Sequence, residues 1–379
     1  MVLFLHNRYR VPGGEERVVE DLARLVRENL GEPVREFTRD SLSLGPARAA
    51  AGLLRGGLDP GEVTRAVRGS GARVVHAHNL QPALGWRALA AAQRAGARVV
   101  LHLHQYRLVC AAGVCFTRGE ECTRCHGRNT APGIRLNCRG SLPESLAYGA
   151  ALSLWQRRML QHADALIVPS IFARERLRAL GAPLPWERVS VLPPPVTPAA
   201  QAPERAPASA PYALVVSRLS PEKGVDVAVD ACRIAGIALV VAGEGPDLDA
   251  LRTRAAGGEV RFAGRVGDRE LAELRAGAAI ALAPSRSAET FGLAVAEAMA
   301  AGLPVAASRV GALPELVEED GLVPAGDSPA LAAAISRLAG DRKAGERAAG
   351  RVRALCSPAA VADSLARIYD GREPAGANP

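Results

Sequence analysis

Short apolar runs recur along this chain, each followed by an amphipathic or Ala/Leu-rich stretch. In the first half VLFLHN (2–7), ARVVHAH (72–78), ARVVLHLH (97–104) and ADALIVPS (163–170) read as strands. In the second half YALVVSRL (212–219), IALVVAGEG (237–245), VRFAGRV (260–266), AAIALAPS (278–285) and LPVAAS (303–308) do the same. Between them lie helices such as EERVVEDLARLVREN (15–29), where Val18, Val19, Leu22, Leu25 and Val26 keep helical spacing. Strands that are apolar throughout, separated by helices, predict parallel sheets covered on both faces. The expected fold class is therefore α/β, with two Rossmann-like doubly wound domains.

Residues 193–211, PPPVTPAAQAPERAPASAP, break the pattern with seven prolines and six alanines. Such a stretch suits neither a helix nor a central strand and reads as a semi-rigid linker. It divides the chain into a first domain over 1–192 and a second over 212–356. The segment 357–379 begins with an amphipathic helix, SPAAVADSLARIYDG, that either ends the second domain or crosses back to the first. Ligands of parallel α/β sheets bind beyond the carboxyl ends of the strands. Two such domains would set those edges around a shared cleft.

Composition narrows the partners. The chain has 379 residues, only 4% aromatic, with a formal net charge of +8, which favours anionic partners such as nucleotides, phosphates or a membrane surface. MVLFLHNRYR is too short an apolar run for a signal peptide and is read as a first strand. No stretch of 18 uncharged apolar residues is present, so no transmembrane helix is expected. The expected setting is cytoplasmic, at the inner face of the membrane if the acceptor lies there, and there cysteines stay reduced.

Two stretches of the second half carry the chemistry. VVSRLSPEKGVD (215–226) puts Arg218 at a strand end and Lys223 five residues later, with Gly224 allowing a tight turn. Two cations beside a helix N-terminus suit a diphosphate, although a solvated basic loop reads the same way. SAETFGLAVAEAMAAGLPVAAS (287–308) carries Glu289, Thr290, Phe291 and Gly292 in a loop, then a helix with Glu297. The amides of Gly292 and Leu293 would open that helix toward an oxyanion. Glu297 is read as a lone carboxylate on an apolar helix, where vicinal ribose hydroxyls would satisfy it.

With Glu289-x7-Glu297 after a strand, and Arg218 and Lys223 before it, the chain resembles the retaining GT-B glycosyltransferases of family 4. The likeness continues through VAGEGP (241–246), FAGRV (262–266), EAMAAGLPVAASRVGALPELV (297–317), VPGGEERVVEDLARLV (11–26), VVHAHN (74–79) and VVLHLHQYRLVC (99–110). The resemblance implies that Arg218 and Lys223 bind the donor diphosphate and that Glu297 holds the ribose. Glu289 and the Phe291–Gly292–Leu293 backbone would hold the donor sugar and distal phosphate, and Arg265 would lie beside the nucleobase. It also places Gly13 and Gly14, a glycine pair that permits close backbone approach, against the donor phosphates. His104 takes the position near the reacting sugar. Gln105 stands where many relatives have aspartate, which leaves the protonation state of His104 open. The implied activity is transfer of a sugar, with retention, from a nucleotide-diphosphate-sugar to a hydroxyl of a glycan, lipid-linked glycan or small molecule. No cofactor is expected to be required for catalysis.

Asp247-Leu248-Asp249 has the form of a metal signature from another glycosyltransferase fold, but it opens a helix, and N-terminal capping accounts for it. Cysteines concentrate in residues 110–138, where Cys122 and Cys125 form a C-x2-C pair between Cys110 and Cys138. A glycine-rich loop of this size cannot bury its own core, so structural zinc on those four cysteines is one reading, beside disulfides and free thiols. Cys115 falls outside that pattern, and His126 is a substitute ligand. Competing functions are a nucleotide-sugar epimerase or hydrolase of the same architecture and a zinc-containing nucleic-acid-binding protein. The dispersed basic residues disfavour the latter, so nucleic acid is not an expected partner. The first strand lacks the G-x-G-x-x-G of a dinucleotide dehydrogenase.

Overall fold

The structure is a computed structural model that describes residues 1–10, 13–197 and 211–372. The middle of the expected linker, 198–210, lies outside the described residues. The chain forms two compact units: residues 1–117, 122–195 and 358 onward make the first, and 118–121 with 196–357 make the second.

The strands in chain order are β1 (Val2–Arg8), β2 (Val34–Asp40), β3 (Val74–Ala77), β4 (Arg98–His102), β5 (Phe116–Thr117), β6 (Glu120–Glu121), β7 (Ala165–Val168) and β8 (Val189–Val191). They continue with β9 (Tyr212–Val216), β10 (Ala238–Ala242), β11 (Val260–Gly264), β12 (Ile280–Ala283), β13 (Val305–Ser308) and β14 (Leu322–Val323). The first unit holds a parallel sheet in the order β2-β1-β3-β4-β7-β8. The second holds a parallel sheet in the order β11-β10-β9-β12-β13-β14. Both are doubly wound, with strand order reversing at β1/β3 and at β9/β12, the positions where such sheets open a ligand crevice.

All nine strands expected from the apolar runs are present. Five strands were not anticipated: β5 and β6, which pair with each other in the cysteine loop, and three strands of the two large sheets. β2, VREFTRD, is a half-exposed edge whose polar residues hide its period. β8 and β14 are edge strands of three and two residues, too short for a pattern to register.

The second sheet shows why continuous apolar strands mean two covered faces. Ala213 and Val215 of β9 pack into one core with the helices Val225–Ala235 and Ser328–Leu338. Leu214, between them, packs into the opposite core with the helix Leu293–Ala300. β10 divides likewise: Leu239 and Val241 face one core, Val240 and Ala242 the other. Strand alternation requires this split.

One boundary differs from the sequence reading, and one alternative it left open is decided. The linker does not start at 193, because Pro194, Pro195 and Val196 are buried. Val196 joins the second unit's core and its amide donates to the Cys356 carbonyl at 2.8 Å. The last helix, Pro358–Tyr369, packs within the first unit, where Leu365 and Tyr369 are buried. The helix before it, Arg342–Cys356, stays in the second unit, and the break falls at Ser357, before a proline that cannot continue a helix from within.

Candidate functional site

At the β9/β12 switch point two loops come together. The first follows β9 and carries Arg218, Ser220, Glu222 and Lys223; the second follows β12 and carries Ser285 to Gly292. Glu222 is the joint. Its carbonyl accepts from the amides of Arg286 and Ser287 at 2.8 and 3.2 Å, and its buried carboxylate accepts from Ser220 Oγ at 2.7 Å and from Arg218. Burial alone would raise the Glu222 carboxyl, but Ser220 and Arg218 outweigh it and hold it below the usual range. Gly224 closes the first loop in the left-handed region, φ +62, and a Cβ there would lie 2.1 Å from the Pro284 carbonyl oxygen. Only glycine lets the turn approach the end of β12 so closely.

Lys223 Nζ donates to Glu289 Oε1 at 2.7 Å, and Ser285 Oγ donates to the same oxygen at 2.6 Å. Burial pushes the Glu289 carboxyl up, yet the Lys223 charge and these hydrogen bonds prevail, so it stays ionised below its ordinary range. The Glu289 backbone is gripped from behind: its carbonyl accepts from the Ala312 amide at 2.9 Å, and Gly311, φ +60, would drive a Cβ to 2.3 Å from it. Gly292 caps the helix Leu293–Ala300 at φ +97, and the first amides of a helix have no acceptor within it. One loop thus offers two cations, and the other a carboxylate and a helix N-terminus. That set can hold a diphosphate and hydrogen-bond a hydroxylated group beside it.

Two readings of this region are corrected. Glu297 is not a lone carboxylate, because it pairs with Arg275, whose side chain is even more buried. The two sit far apart in sequence, so no local pattern announces the pair. Asp247 occupies the N-cap position of the helix Leu248–Arg254 but makes no side-chain capping bond. Asp249 is solvent-exposed, 3.7 Å from Arg252. Arg265 is exposed just after β11, and Phe291 is buried in the core beside the helix that carries Glu297.

In the first unit the loop after β1 leads to Gly13. Its φ is −146, ordinary extended backbone, and its amide donates to Glu16 Oε2 at 2.8 Å. Gly13 therefore closes a capping box rather than needing glycine's freedom, and Gly14 begins the helix Gly14–Asn29. Glu16 also accepts from the Tyr9 amide at 3.0 Å.

Gln105 belongs to a network that the sequence did not show. Tyr9 Oη donates to Glu15 Oε2 at 2.7 Å, Gln105 Nε2 reaches the same oxygen at 3.2 Å, and Arg107 binds both Tyr9 Oη and Gln105 Oε1 at 3.1 Å. Burial raises the Glu15 carboxyl in spite of these partners. His104 Nε2 lies 2.9 Å from His78 Nδ1 and its ring stacks on His102 at 4.0 Å between centroids. Burial holds His104 neutral, pushed down to about 3. A neutral imidazole is suited to hydrogen-bonding a sugar hydroxyl rather than to supplying charge.

The cysteines meet around one small cavity, lined by Cys110, Cys115, Cys122, Cys125 and Cys138. Cys115 is thus part of the cluster: its thiol hydrogen-bonds Cys110 and pulls that thiol down to about 6. No disulfide joins these five cysteines. His126 is exposed, lies against Gly181 and does not line the cavity, which removes it as a substitute ligand.

Residues 5–195 match the family described as Glycosyl transferase 4-like domain, and residues 210–341 match Glycosyl transferases group 1. A GDP-mannose-dependent alpha-(1-6)-phosphatidylinositol dimannoside mannosyltransferase of Mycobacterium tuberculosis is 40% identical over 144 residues, 36% of this chain and 38% of that protein. The amylovoran biosynthesis glycosyltransferase AmsK of Erwinia amylovora is 38% identical over 143 residues, 33% of this chain and 35% of that protein. The chain therefore matches less than two fifths of the length of these relatives. Among solved structures, sucrose-phosphate synthase from Thermosynechococcus elongatus superposes with TM-score 0.68 at 22% identity, covering 97% of this chain and 98% of that one. HepE of Anabaena, solved with UDP and glucose, gives 0.65 at 18% identity over 98% and 99% of the chains. At such identities these two speak for the fold, two Rossmann-like domains of the GT-B type. With both halves matched in order, one of them over half the chain, this protein belongs to the glycosyltransferases, with a 4-like first domain and a group 1 second domain.

Proposed function

We propose that this chain is a retaining glycosyltransferase that moves a sugar from a nucleotide-diphosphate-sugar to an acceptor hydroxyl. The observation that carries the reading is the Lys223–Glu289 contact, which joins the two loops at the switch point of the second sheet. Arg218, Lys223 and the amides at Gly292 and Leu293 bind the diphosphate and stabilise its growing charge as the bond from the anomeric carbon breaks. Glu289 accepts hydrogen bonds from the donor sugar. Glu297, shared with Arg275, accepts from the ribose, and Arg265 lies toward the base. The acceptor oxygen bonds to the anomeric carbon on the face the phosphate leaves, and its proton passes to the departing phosphate oxygen. His104 is assigned to the sugar as a neutral hydrogen-bonding partner, and Gly13 and Gly14 are assigned to the donor phosphates.

The protein cations supply the charge this departure needs, so no cofactor is assigned to the catalytic step. The acceptor is a hydroxyl of a glycan, a lipid-linked glycan or a small molecule, reached in the cytoplasm or at the inner membrane face. The net charge of +8 favours contact with an anionic surface, and among the described residues no helix is long and apolar enough to cross a membrane. Zinc on Cys110, Cys122, Cys125 and Cys138 would pin the loop, a role that fits thiols converging on one cavity.

The mycobacterial relative's GDP-mannose makes that donor the first to test, beside UDP-glucose. A bound donor should raise Tm, and addition of an acceptor should release nucleoside diphosphate with an α-linked product. An epimerised nucleotide sugar formed from donor alone, or inversion at the anomeric carbon, overturns the reading.

A further inference from the structure

A second constellation lies under the first sheet's switch point, apart from the donor loops and the cysteines. His76 and His78 alternate along β3 and its end, and His102 and His104 along β4 and the residues after it. The register sets His76 beside Val100, which brings His78 level with His102. The rings form one stack: His76 and His78 centroids are 4.3 Å apart, and His76 and His102 lie 5.5 Å apart and nearly parallel. His76, His78 and His102 are at most 3% exposed, and one ring nitrogen of each lies within 4.8 Å of the others.

The hydrogen bonding of these rings is lopsided. His76 Nδ1 meets Tyr369 Oη at 2.9 Å and His78 Nδ1 meets His104 Nε2 at 2.9 Å. The Nε2 atoms of both, and both ring nitrogens of His102, are buried without a hydrogen-bond partner among the described residues. Aromatic packing alone leaves this unexplained, since a buried unsatisfied polar atom costs about 1–3 kcal/mol. In the tautomers with the proton on Nδ1, each of His76 and His78 donates to a partner that fixes its ring and leaves its buried Nε2 with an unused lone pair. That is the arrangement of metal-ligating histidines, whose second nitrogen is held by an outer partner.

We infer that His76, His78 and His102 form a binding site for a divalent transition cation of the zinc class. Bonds of about 2.0–2.1 Å place tetrahedral ligand nitrogens roughly 3.3 Å apart, so nitrogens now within 4.8 Å of one another have to draw together and the rings have to turn out of their stack to hold the ion. Imidazole-only ligation selects zinc, cobalt, nickel or copper over magnesium or calcium. Tyr369 and His104 are its outer partners, so the ion ties the helix Pro358–Tyr369 to the centre of the sheet. The inference does not need the donor loops of the second unit, but it shares His104, an outer partner here, with the sugar position proposed above.

The test is cobalt loading of the full chain after chelation, in a Cys122→Ser/Cys125→Ser background that disables the cysteine loop. The expected result is one cobalt per chain with ligand-field bands and no sulfur-to-metal charge transfer. His102→Phe keeps the ring stack and should abolish binding. Tyr369→Phe should weaken it roughly ten- to a hundredfold. No cobalt in the cysteine-disabled chain, or binding that His102→Phe leaves intact, overturns the site. Should His102→Phe not fold, the cobalt-shifted imidazole proton resonances of the otherwise unchanged chain decide. Three shifted imidazole rings support the site, and their absence refutes it.

Discussion

Glu297 carries two obligations at once. It is assigned to the ribose, and it neutralises Arg275, which is 8% exposed. Glu297→Ala should therefore weaken donor binding and also cost about 3 kcal/mol of stability, because it strands a buried guanidinium. Glu297→Gln should lose donor affinity with a smaller stability loss. Arg218 is over half exposed and Ser220 also holds the buried Glu222, so Arg218→Ala should cost less stability than Glu297→Ala while lowering kcat about a hundredfold or more. Thermal melts beside steady-state kinetics separate these outcomes. Glu289 gives a pH dependence. Its carboxyl is held below its unfolded value, so the Lys223 pair stabilises fully above about pH 4.3, the ordinary glutamate value, and progressively less as pH falls through the lower folded value. The Tm difference between the wild type and Glu289→Gln should accordingly be constant near neutrality and shrink in acid. A difference that grows on acidification would refute the pairing.

At the scale of elements, the donor loops depend on how closely backbones approach. Gly224 and Gly236 cap the two ends of one helix, with φ +62 and +65. A Cβ at Gly224 would strike the Pro284 carbonyl, whereas at Gly236 nothing lies within 4 Å. Gly236→Ala should cost only the left-handed strain, about 1–2 kcal/mol, and spare donor binding. Gly224→Ala should cost more and lose donor affinity, since it pushes Lys223 away from the loop that holds Glu289. Equal Tm shifts and equal affinities for the two variants would sink this argument. The same loops illustrate what a sequence can reveal. Arg218, Lys223, Gly224 and Glu289 stand in contiguous motifs at strand ends, so their clustering follows once β9 and β12 are neighbours. Arg275, by contrast, sits on a helix outside every motif, and nothing local marks it. Gln105 looked like a departure beside His104, but besides the neighbouring Arg107 its partners Tyr9 and Glu15 come from the distant loop and helix start after β1.

At the scale of the molecule, the last helix belongs to the first unit although the chain reaches it from the second. Val361, Leu365, Ile368 and Tyr369 are each no more than 5% exposed, and burying one such side chain is worth about 1.5–3 kcal/mol. Arg98 Nε also donates to the Ile368 carbonyl at 3.1 Å. A chain truncated after Ser357 should lose hydrogen-exchange protection in β1, β3 and β4 and keep it in β9 to β13. Uniform loss across both sheets, or none, would contradict that assignment.

Taken alone, the amino-acid sequence determined the α/β class, nine strands, two doubly wound halves and the order of the donor motifs. Apolar period and strand-end chemistry are local properties, and local properties are written contiguously. Tertiary structure alone decided the edge strands, whose apolar pattern is too short or too polar to show. It also decided the ownership of the last helix, an apolar face that would fit either unit. The pairing of Glu297 with Arg275, the entry of Cys115 into the thiol cavity and the assembly of His76, His78 and His102 depend on it as well. The thiol cavity forms within one loop, but the others join residues distant along the chain, and only the sheet order and helix packing bring them within reach.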